Sequence, residues 1–190
     1  MGLPLVTKAE YKAYAGLTSP TQDAVIDSII PKISELVKTM CRRTFIDYAA
    51  IAKTEYFDGG FYVYYPEETP LISVTSLERS TDFGSTYTLL VEYTDYAVSK
   101  VSSGITSLTS AGFPNYINGY KLTYKAGYAA LPEDLKLAIF DLITYYMKND
   151  SAIHSSKAPG TNSVQIEYVT NTSLPAHIKR VLDQYTENYN

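Results

Sequence analysis

The chain has 190 residues, of which 45% are hydrophobic and 19% charged, and its formal net charge is −4. A chain of this size buries about 70% of its unfolded surface on folding, which excludes a disordered polyelectrolyte and a large multidomain enzyme, and no apolar run approaches the ~20 residues of a membrane span. An acidic chain without clustered Lys and Arg does not hold nucleic acid by collecting phosphates.

The single cysteine, Cys41, excludes an internal disulfide framework and a multi-cysteine zinc site. The amino terminus lacks the basic and apolar regions of a signal peptide, so the chain is expected to be made in the cytoplasm. Nineteen Tyr accompany 6 Phe and no Trp. Tyrosine joins an apolar ring to a polar tip, which suits half-buried surfaces such as subunit contacts.

The first 45 residues read as helix. Thr7 and Glu10 have capping-box spacing and open a short helix that Gly16 closes. Ser19 as cap and Pro20 in the first turn open a longer one. In it Val25, Ile26, Ile29, Ile30, Ile33, Leu36, Val37 and Met40 recur every three or four residues and form one broad apolar face. Pro31 lies inside that pattern and predicts a kink or a split, because it removes a backbone donor and crowds the preceding turn.

From residue 51 to 128 the period changes to two. Segments 54–57 and 61–65 flank Asp58, Gly59 and Gly60, the signature of a short-loop hairpin. Further strands are predicted over 72–77, 87–90, 96–98 and 120–126, and in the last of these Tyr120, Leu122, Tyr124 and Ala126 alternate. Eleven of the 19 tyrosines fall in this stretch. Its strands are therefore expected to carry tyrosine rows on a face that meets a partner.

Helix returns at Leu131, with Pro132 in the first turn and Glu133 and Asp134 where the helix dipole favours carboxylates. Leu135, Ala138, Ile139, Leu142, Ile143 and Tyr146 form its stripe. Residues 151–160 read as a polar loop and 164–169 as a short strand. A last helix begins near Ser173 and Pro175 and carries Ile178, Val181, Leu182 and Tyr185 at helical spacing. The fold class is α+β: a helical bundle base, residues 1–50 and 129–190, with a long antiparallel β insertion, residues 51–128.

Little in the chain points to catalysis. There is no phosphate-binding glycine loop and no paired-histidine metal motif. The two histidines, His154 in the polar loop and His177 in the first turn of the last helix, have no local cysteine or carboxylate constellation. Cys41 beside an apolar stripe reads as a small core residue. Arg42 and Arg43 complement a helix carboxyl end. Glu67 and Glu68 read as a solvated loop, since adjacent strand residues point to opposite faces and do not make a paired-carboxylate site. Asn171, Thr172 and Ser173 match a glycosylation sequon by coincidence. No catalytic, cofactor or metal residue is assigned.

Several segments in a fixed order carry a resemblance. They are Cys41, Arg42, Arg43, Thr44 and Phe45 at the end of the long helix; Thr54, Glu55, Tyr56, Phe57, Asp58 and Gly59; and residues 70–77 from Pro70 to Leu77. The most telling is Leu122, Thr123, Tyr124, Lys125, Ala126, Gly127, Tyr128 followed by Leu131, Pro132, Glu133, Asp134, Leu135 and Ala138, a strand running through a glycine turn into a proline-started helix. Together, over residues 5–148, they resemble the phage head-tail connector family, the adaptors that form a ring beneath the portal.

The resemblance implies a structural protein of the virion neck, made in the host cytoplasm. It implies a dodecameric ring of copies that docks on the portal protein, meets a further tail or stopper component, and lets DNA pass through a central channel without specific binding. It also implies no catalysis, no cofactor and no membrane. Portal contact is expected from the carboxyl-terminal segment, with Leu174, Ile178, Val181, Leu182 and Tyr185 as the apolar stripe, Lys179 and Arg180 on a polar rim, and Tyr189 as an anchor. Phe61, Tyr62, Tyr64 and Tyr65 are expected to meet a neighbouring subunit or a tail component, with Tyr62 and Tyr64 on one face and Phe61 and Tyr65 on the other. The alternative reading is a tyrosine-rich β module on a helical base that binds a carbohydrate or a surface ligand.

Overall fold

The computed structural model of the chain describes residues 2–148, 153–156, 165–168 and 174–186. It begins with helix α1 (Lys8–Ala15), a 3-10 turn (Pro20–Gln22), and helices α2 (Asp23–Cys41) and α3 (Asp47–Ala50). Strands β1 (Lys53–Phe57), β2 (Val63–Tyr64), β3 (Leu71–Arg79), β4 (Thr88–Leu89), β5 (Tyr96–Ser99), β6 (Gly104–Ser107) and β7 (Tyr120–Ala126) follow. Helix α4 (Glu133–Lys148), strands β8 (Ile153–Ser156) and β9 (Gln165–Tyr168), and helix α5 (Ala176–Tyr185) complete the order. Helices with antiparallel sheets make the fold α+β. Two compact units are formed, one from Met1–Leu3 and Arg43–Leu131, the other from Pro4–Arg42 and Pro132–Asn190.

The helical unit follows its local signals closely. Thr7 and Glu10 close a reciprocal capping box and Gly16 ends α1 in the left-handed conformation. Ser19 caps only the 3-10 turn, and α2 starts four residues later at Asp23. Helix α2 runs on through Pro31 without the split that the sequence allowed. Ile26 and Ile30 before the proline and Ile33 and Val37 after it are all buried, and each such side chain contributes ~1.5–3 kcal/mol. The four together, ~6–12 kcal/mol, exceed the ~3 kcal/mol a helix-interior proline costs. Helix α4 packs on both α2 and α5 through Leu135, Ile139, Leu142 and Ile143, which meet a core completed by Ile178 and Leu182. Cys41 is fully buried there, its thiol directed at the Leu182 carbonyl at 3.6 Å, as a small core residue should be.

Strands β8 and β9 pair antiparallel, Ile153 opposite Tyr168. Residues 151–160 are thus not all loop: the strand at 153–156, which includes His154, is sustained by pairing with a segment about ten residues on, a non-local partner invisible to local composition. The sequon Asn171 to Ser173 lies outside the described residues.

The β unit contains a four-stranded sheet ordered β1-β7-β3-β4 and a three-stranded sheet ordered β2-β6-β5. The expected hairpin of 54–57 with 61–65 does not form. Strand β1 pairs with β7, Lys53 opposite Tyr124, while β2 pairs with β6 in the other sheet. Asp58, Gly59 and Gly60 serve a crossing instead of a two-residue turn. The Asp58 carboxylate accepts from the Asn118 N–H at 2.7 Å, and the Gly60 N–H donates to the Phe113 carbonyl at 2.6 Å. A Cβ at Gly59 would lie 1.8 Å from the Pro114 carbonyl oxygen, so only glycine admits that approach.

Alternation along β7 holds: Tyr120, Leu122, Tyr124 and Ala126 are buried, and Lys121, Thr123 and Lys125 face outward. Gly127 follows at φ 98°, with its Cα so close to the Phe45 carbonyl that a Cβ would clash with it. Strand β6, unpredicted by sequence, is too short and too polar at Ser107 and Thr106 to announce itself.

Ile33→Ala and Leu142→Ala should each lower stability by ~2–5 kcal/mol, because both side chains are buried in the helical unit. Leu137→Ala, on the exposed side of α4, should stay within ~0.5 kcal/mol. Chemical denaturation followed by circular dichroism measures all three, and losses below that smaller figure at both buried sites would contradict the assigned faces.

Candidate interaction surfaces

Inside the β unit, aromatic rings join the two sheets. Phe57 of β1 lies between Tyr64 of β2 and Tyr120 of β7, its centroid 3.7 Å from the first and 5.0 Å from the second, with both pairs stacked. Phe113 meets Phe57 and Tyr120 edge-on, and Phe61 packs against the same group. Burial pushes the Tyr120 phenol up to about 12.

Beside this stack lies a polar hub. Tyr64 donates to Glu55 at 2.8 Å and Tyr124 donates to the other Glu55 oxygen at 2.9 Å, while the Tyr124 hydroxyl accepts from the Glu68 N–H at 3.1 Å. The Glu68 carboxylate accepts from the Thr44 N–H. Lys53 bridges Glu55 and Glu67; burial opposes its charge, but the Glu67 hydrogen bond and the surrounding carboxylates outweigh it and hold the ammonium above its usual range. Desolvation drives the Tyr124 phenol upward, so the hydroxyl stays a donor. The expectation of a solvated Glu67 and Glu68 loop is half corrected: Glu67 is exposed, but Glu68 is buried because its backbone and side chain both serve the hub.

The predicted aromatic quartet is rearranged. Phe61 and Tyr64 turn into the core, whereas Tyr62 and Tyr65 are exposed, so the faces pair 61 with 64 and 62 with 65. Strict alternation fails because only Val63 and Tyr64 are strand, with Phe61 held by an isolated bridge to Phe113. The expected tyrosine rows are likewise largely internal: Tyr96, Tyr120 and Tyr124 are buried. The exposed tyrosines, Tyr56, Tyr62, Tyr65 and Tyr93, are dispersed.

In α5, Ile178 and Leu182 are buried in the helical unit, Val181 and Tyr185 are half-buried, as is Leu174 just before the helix, and Lys179 and Arg180 are exposed. Tyr185 donates to the Asp134 carboxylate at 2.7 Å, tying α5 to the start of α4. Tyr189 lies outside the described residues. His177 is exposed, 3.6 Å from Asp141, whose other oxygen accepts from Tyr14 at 2.6 Å. Among the described residues no His, Cys, Asp or Glu cluster has the arrangement of a metal site, and no helix is long and apolar enough to cross a membrane.

Among the described residues each unit carries a concavity. One, of about 570 Å³ in the helical unit, is lined by Tyr11, Tyr14, Leu17, Gln22, Asp141 and Met147 among others. The second, about 360 Å³ in the β unit, is lined by Tyr56, Phe83, Gly84, Tyr87 and Asn118. Sequence reasoning passed over the second, since Phe83 stands in a polar stretch without periodicity and Tyr87 reads only as the start of a short strand. The positive φ of Phe83 leaves no mark in the sequence.

The head completion protein family model matches residues 4–187. The chain belongs to the head completion protein family. As a member it is a structural component of the head-tail region of a virion. No curated protein matches the chain. Among solved structures it is similar to a chain in the neck of an empty gene transfer agent particle computed with C6 symmetry, at 16% identity and TM-score 0.63, covering 98% of this chain and 91% of that one. A chain of the native gene transfer agent virion gives 15% identity and TM-score 0.64, covering 100% and 94%. A chain of the native particle's neck computed with C12 symmetry gives 17% and 0.59, covering 100% and 97%. At such identity the likeness is one of fold, and it extends over nearly the whole head completion fold.

Tyr124→Phe keeps the ring but deprives Glu55 of a donor and the Glu68 N–H of its acceptor, so it should cost about 1–3 kcal/mol. Tyr56→Phe, exposed, should change stability by under ~0.5 kcal/mol, and thermal and chemical melts separate the two. The Asp82 carboxyl, held by Ser80 and Thr86, is lowered to about 2. Its bonds are thus fully present above the ordinary value of 3.8 and are lost as pH falls through about 2. Amide resonances of Gly84 and Thr86 should hold their positions down to pH ~3 and shift below it.

Proposed function

We propose that this head completion protein is a connector of the virion neck, assembled as a closed dodecameric ring that docks on the portal, joins head to tail and passes DNA through a central channel. The observation that carries this reading is the family match over residues 4–187, together with likeness across almost the full chain to neck proteins of particles computed with C6 and C12 symmetry. The physical character of the chain supports it. A ring closes through two different patches on each subunit that fit head to tail. A conduit must release its cargo, and a chain of net charge −4 suits passage better than phosphate binding. In this reading the protein catalyses nothing, and the carbohydrate-binding alternative has no support in the family match.

Portal contact is assigned to the carboxyl-terminal segment. With Ile178 and Leu182 committed to the subunit's own core, the surface offered by α5 and the residues just before it is Lys179 and Arg180 with the edges of Leu174, Val181 and Tyr185; Tyr189 remains part of the proposed contact from the sequence alone. Tyr62 and Tyr65 are assigned to a neighbouring subunit or a tail-side component; Phe61 and Tyr64 act behind them as core.

The double substitution Lys179→Glu and Arg180→Glu should leave the melting curve unchanged. Yet it should lower the yield of tailed particles about tenfold or more, a loss of ~1.4 kcal/mol in docking. Removing residues 187–190 should act in the same direction, with tailless heads accumulating in electron micrographs. Normal joining by both variants would remove this segment from the portal contact.

A further inference from the structure

The loop between β3 and β4 is built to hold an apolar side chain in water. Phe83 is 76% exposed and sits at φ 60°, a left-handed conformation that is unfavourable for a bulky residue. Its neighbours fix it there. Asp82 accepts from the Ser80 hydroxyl at 2.6 Å, from the Thr86 N–H at 2.9 Å and from the Thr86 hydroxyl at 2.7 Å, and Ser80 in turn accepts from the Gly84 N–H at 2.9 Å. Tyr87 donates to the Asn118 carbonyl and closes the loop's far side. A strained position fully supported by its surroundings is characteristic of a contact residue ordered in advance, which reduces the entropy lost on association.

The ring does not stand alone. Phe83 shares the 360 Å³ cleft with Tyr56 and Tyr87, whose rings are 6.1 Å apart. From Tyr56 a cross-strand row traverses the outer face of the four-stranded sheet: Tyr56 opposite Lys121, Lys121 opposite Glu78, Glu78 opposite Leu89. Tyr56 and Leu89 are 57% and 62% exposed. With Phe83 these correspond to ~450 Å² of mostly apolar surface, about half of the ~800 Å² that each side of a standard interface buries. It is enough for the centre of a contact whose rim is polar.

Charge selects the occupant. Lys121 and Glu78 pair at 3.4 Å, with the Lys121 ammonium also 5.7 Å over the Tyr87 ring, and Asp82 is satisfied within its loop while Lys125 adds a cation to the same face. Two cations and two anions make this face neutral in a chain of net charge −4. Copies of an acidic chain repel one another, and a neutral apolar face is where a second copy approaches at least cost. A basic partner would be drawn elsewhere, and DNA finds no phosphate site.

Resting on the ring reading above, we propose that the outer face of the β1-β7-β3-β4 sheet, with Phe83 as its projecting knob, is one side of the contact between adjacent copies of this chain. The other side is a different patch on the neighbour, as head-to-tail closure requires.

The test places a benzophenone photo-crosslinking side chain at position 83 in the full chain, expressed in cells that produce particles, and irradiates the purified particles. The expected product has twice the mass of the chain, and peptide mass spectrometry finds both halves to be this sequence. A crosslink to another virion protein, to a glycan, or to nothing, with the chain present in the particles, overturns the proposal and leaves the ring reading standing. Absence of the unsubstituted chain from particles made in parallel overturns the ring reading and this proposal with it, whereas loss of the substituted chain alone is the reduced incorporation that the proposal expects. In parallel, Phe83→Ala with Tyr56→Ala should keep the melting curve of the isolated chain and reduce its incorporation into particles about tenfold, a change of ~1.4 kcal/mol; undiminished incorporation would also overturn the proposal.

Discussion

Two buried carboxylates set the terms for the β unit. An ionised carboxylate removed from water costs several kcal/mol unless its oxygens are hydrogen-bonded, and Glu55 sits on the core side of β1, opposite Leu122. Its donors come from β2 and β7 through Tyr64 and Tyr124, and Lys53 stands 3.6 Å away. Glu68 links the same hub to the segment at Thr44. Because these donors arrive from separate parts of the chain, satisfying the carboxylates fixes where those parts lie within the unit, and a one-residue slip of β1 would put Glu55 in solvent and take the carboxylate acceptor from two phenols.

The same constraint explains why this core is built of tyrosine more than phenylalanine. Tyr64 and Tyr124 fill apolar volume with their rings and carry a donor to a carboxylate with their tips, a pairing that Phe57, Phe61 and Phe113 cannot supply. The stack through Phe57 then binds the two sheets by apolar area alone. Tyrosine enrichment therefore has two origins in this chain: an internal one at the hub, and an external one at Tyr56, Tyr62 and Tyr65, where the polar tip makes an exposed ring tolerable in water.

A rigid interior is what permits function to be placed on loops. The Phe83 loop leaves a sheet whose central strand, β7, is alternately buried and exposed without interruption, and the crossing at Gly59 locks the 113–118 segment against its other end. An assembly protein needs surfaces that hold their shape before they meet. In this fold hydrogen-bonded carboxylates hold that shape: Asp58, Asp82 and Glu68 fasten loops, and Glu55 ties β1 to β2 and β7.

Helices were legible because their determinants are local. The capping box at Thr7, the stripe through Ile26, Ile30, Ile33 and Val37, and the acidic first turn at Glu133 and Asp134 all act within four residues along the chain, and the structure uses them, though the face is narrower than the eight-residue stripe read from the sequence, since Val25 and Met40 at its ends are exposed. Strand β7 was legible for the same reason, its period of two being written in consecutive side chains. Pairing was not. Nothing between residues 53 and 65 states that β1 joins β7 and β2 joins β6, because a strand's partner is decided by which distant segment completes its hydrogen bonds and buries its inward side chains. The order of recognisable segments was enough to suggest the family; the fate of Glu68, the sorting of Tyr62 and Tyr65 from Phe61 and Tyr64, and the exposure of Phe83 belong to tertiary structure alone, since burial is a property of what surrounds a residue and not of the residue.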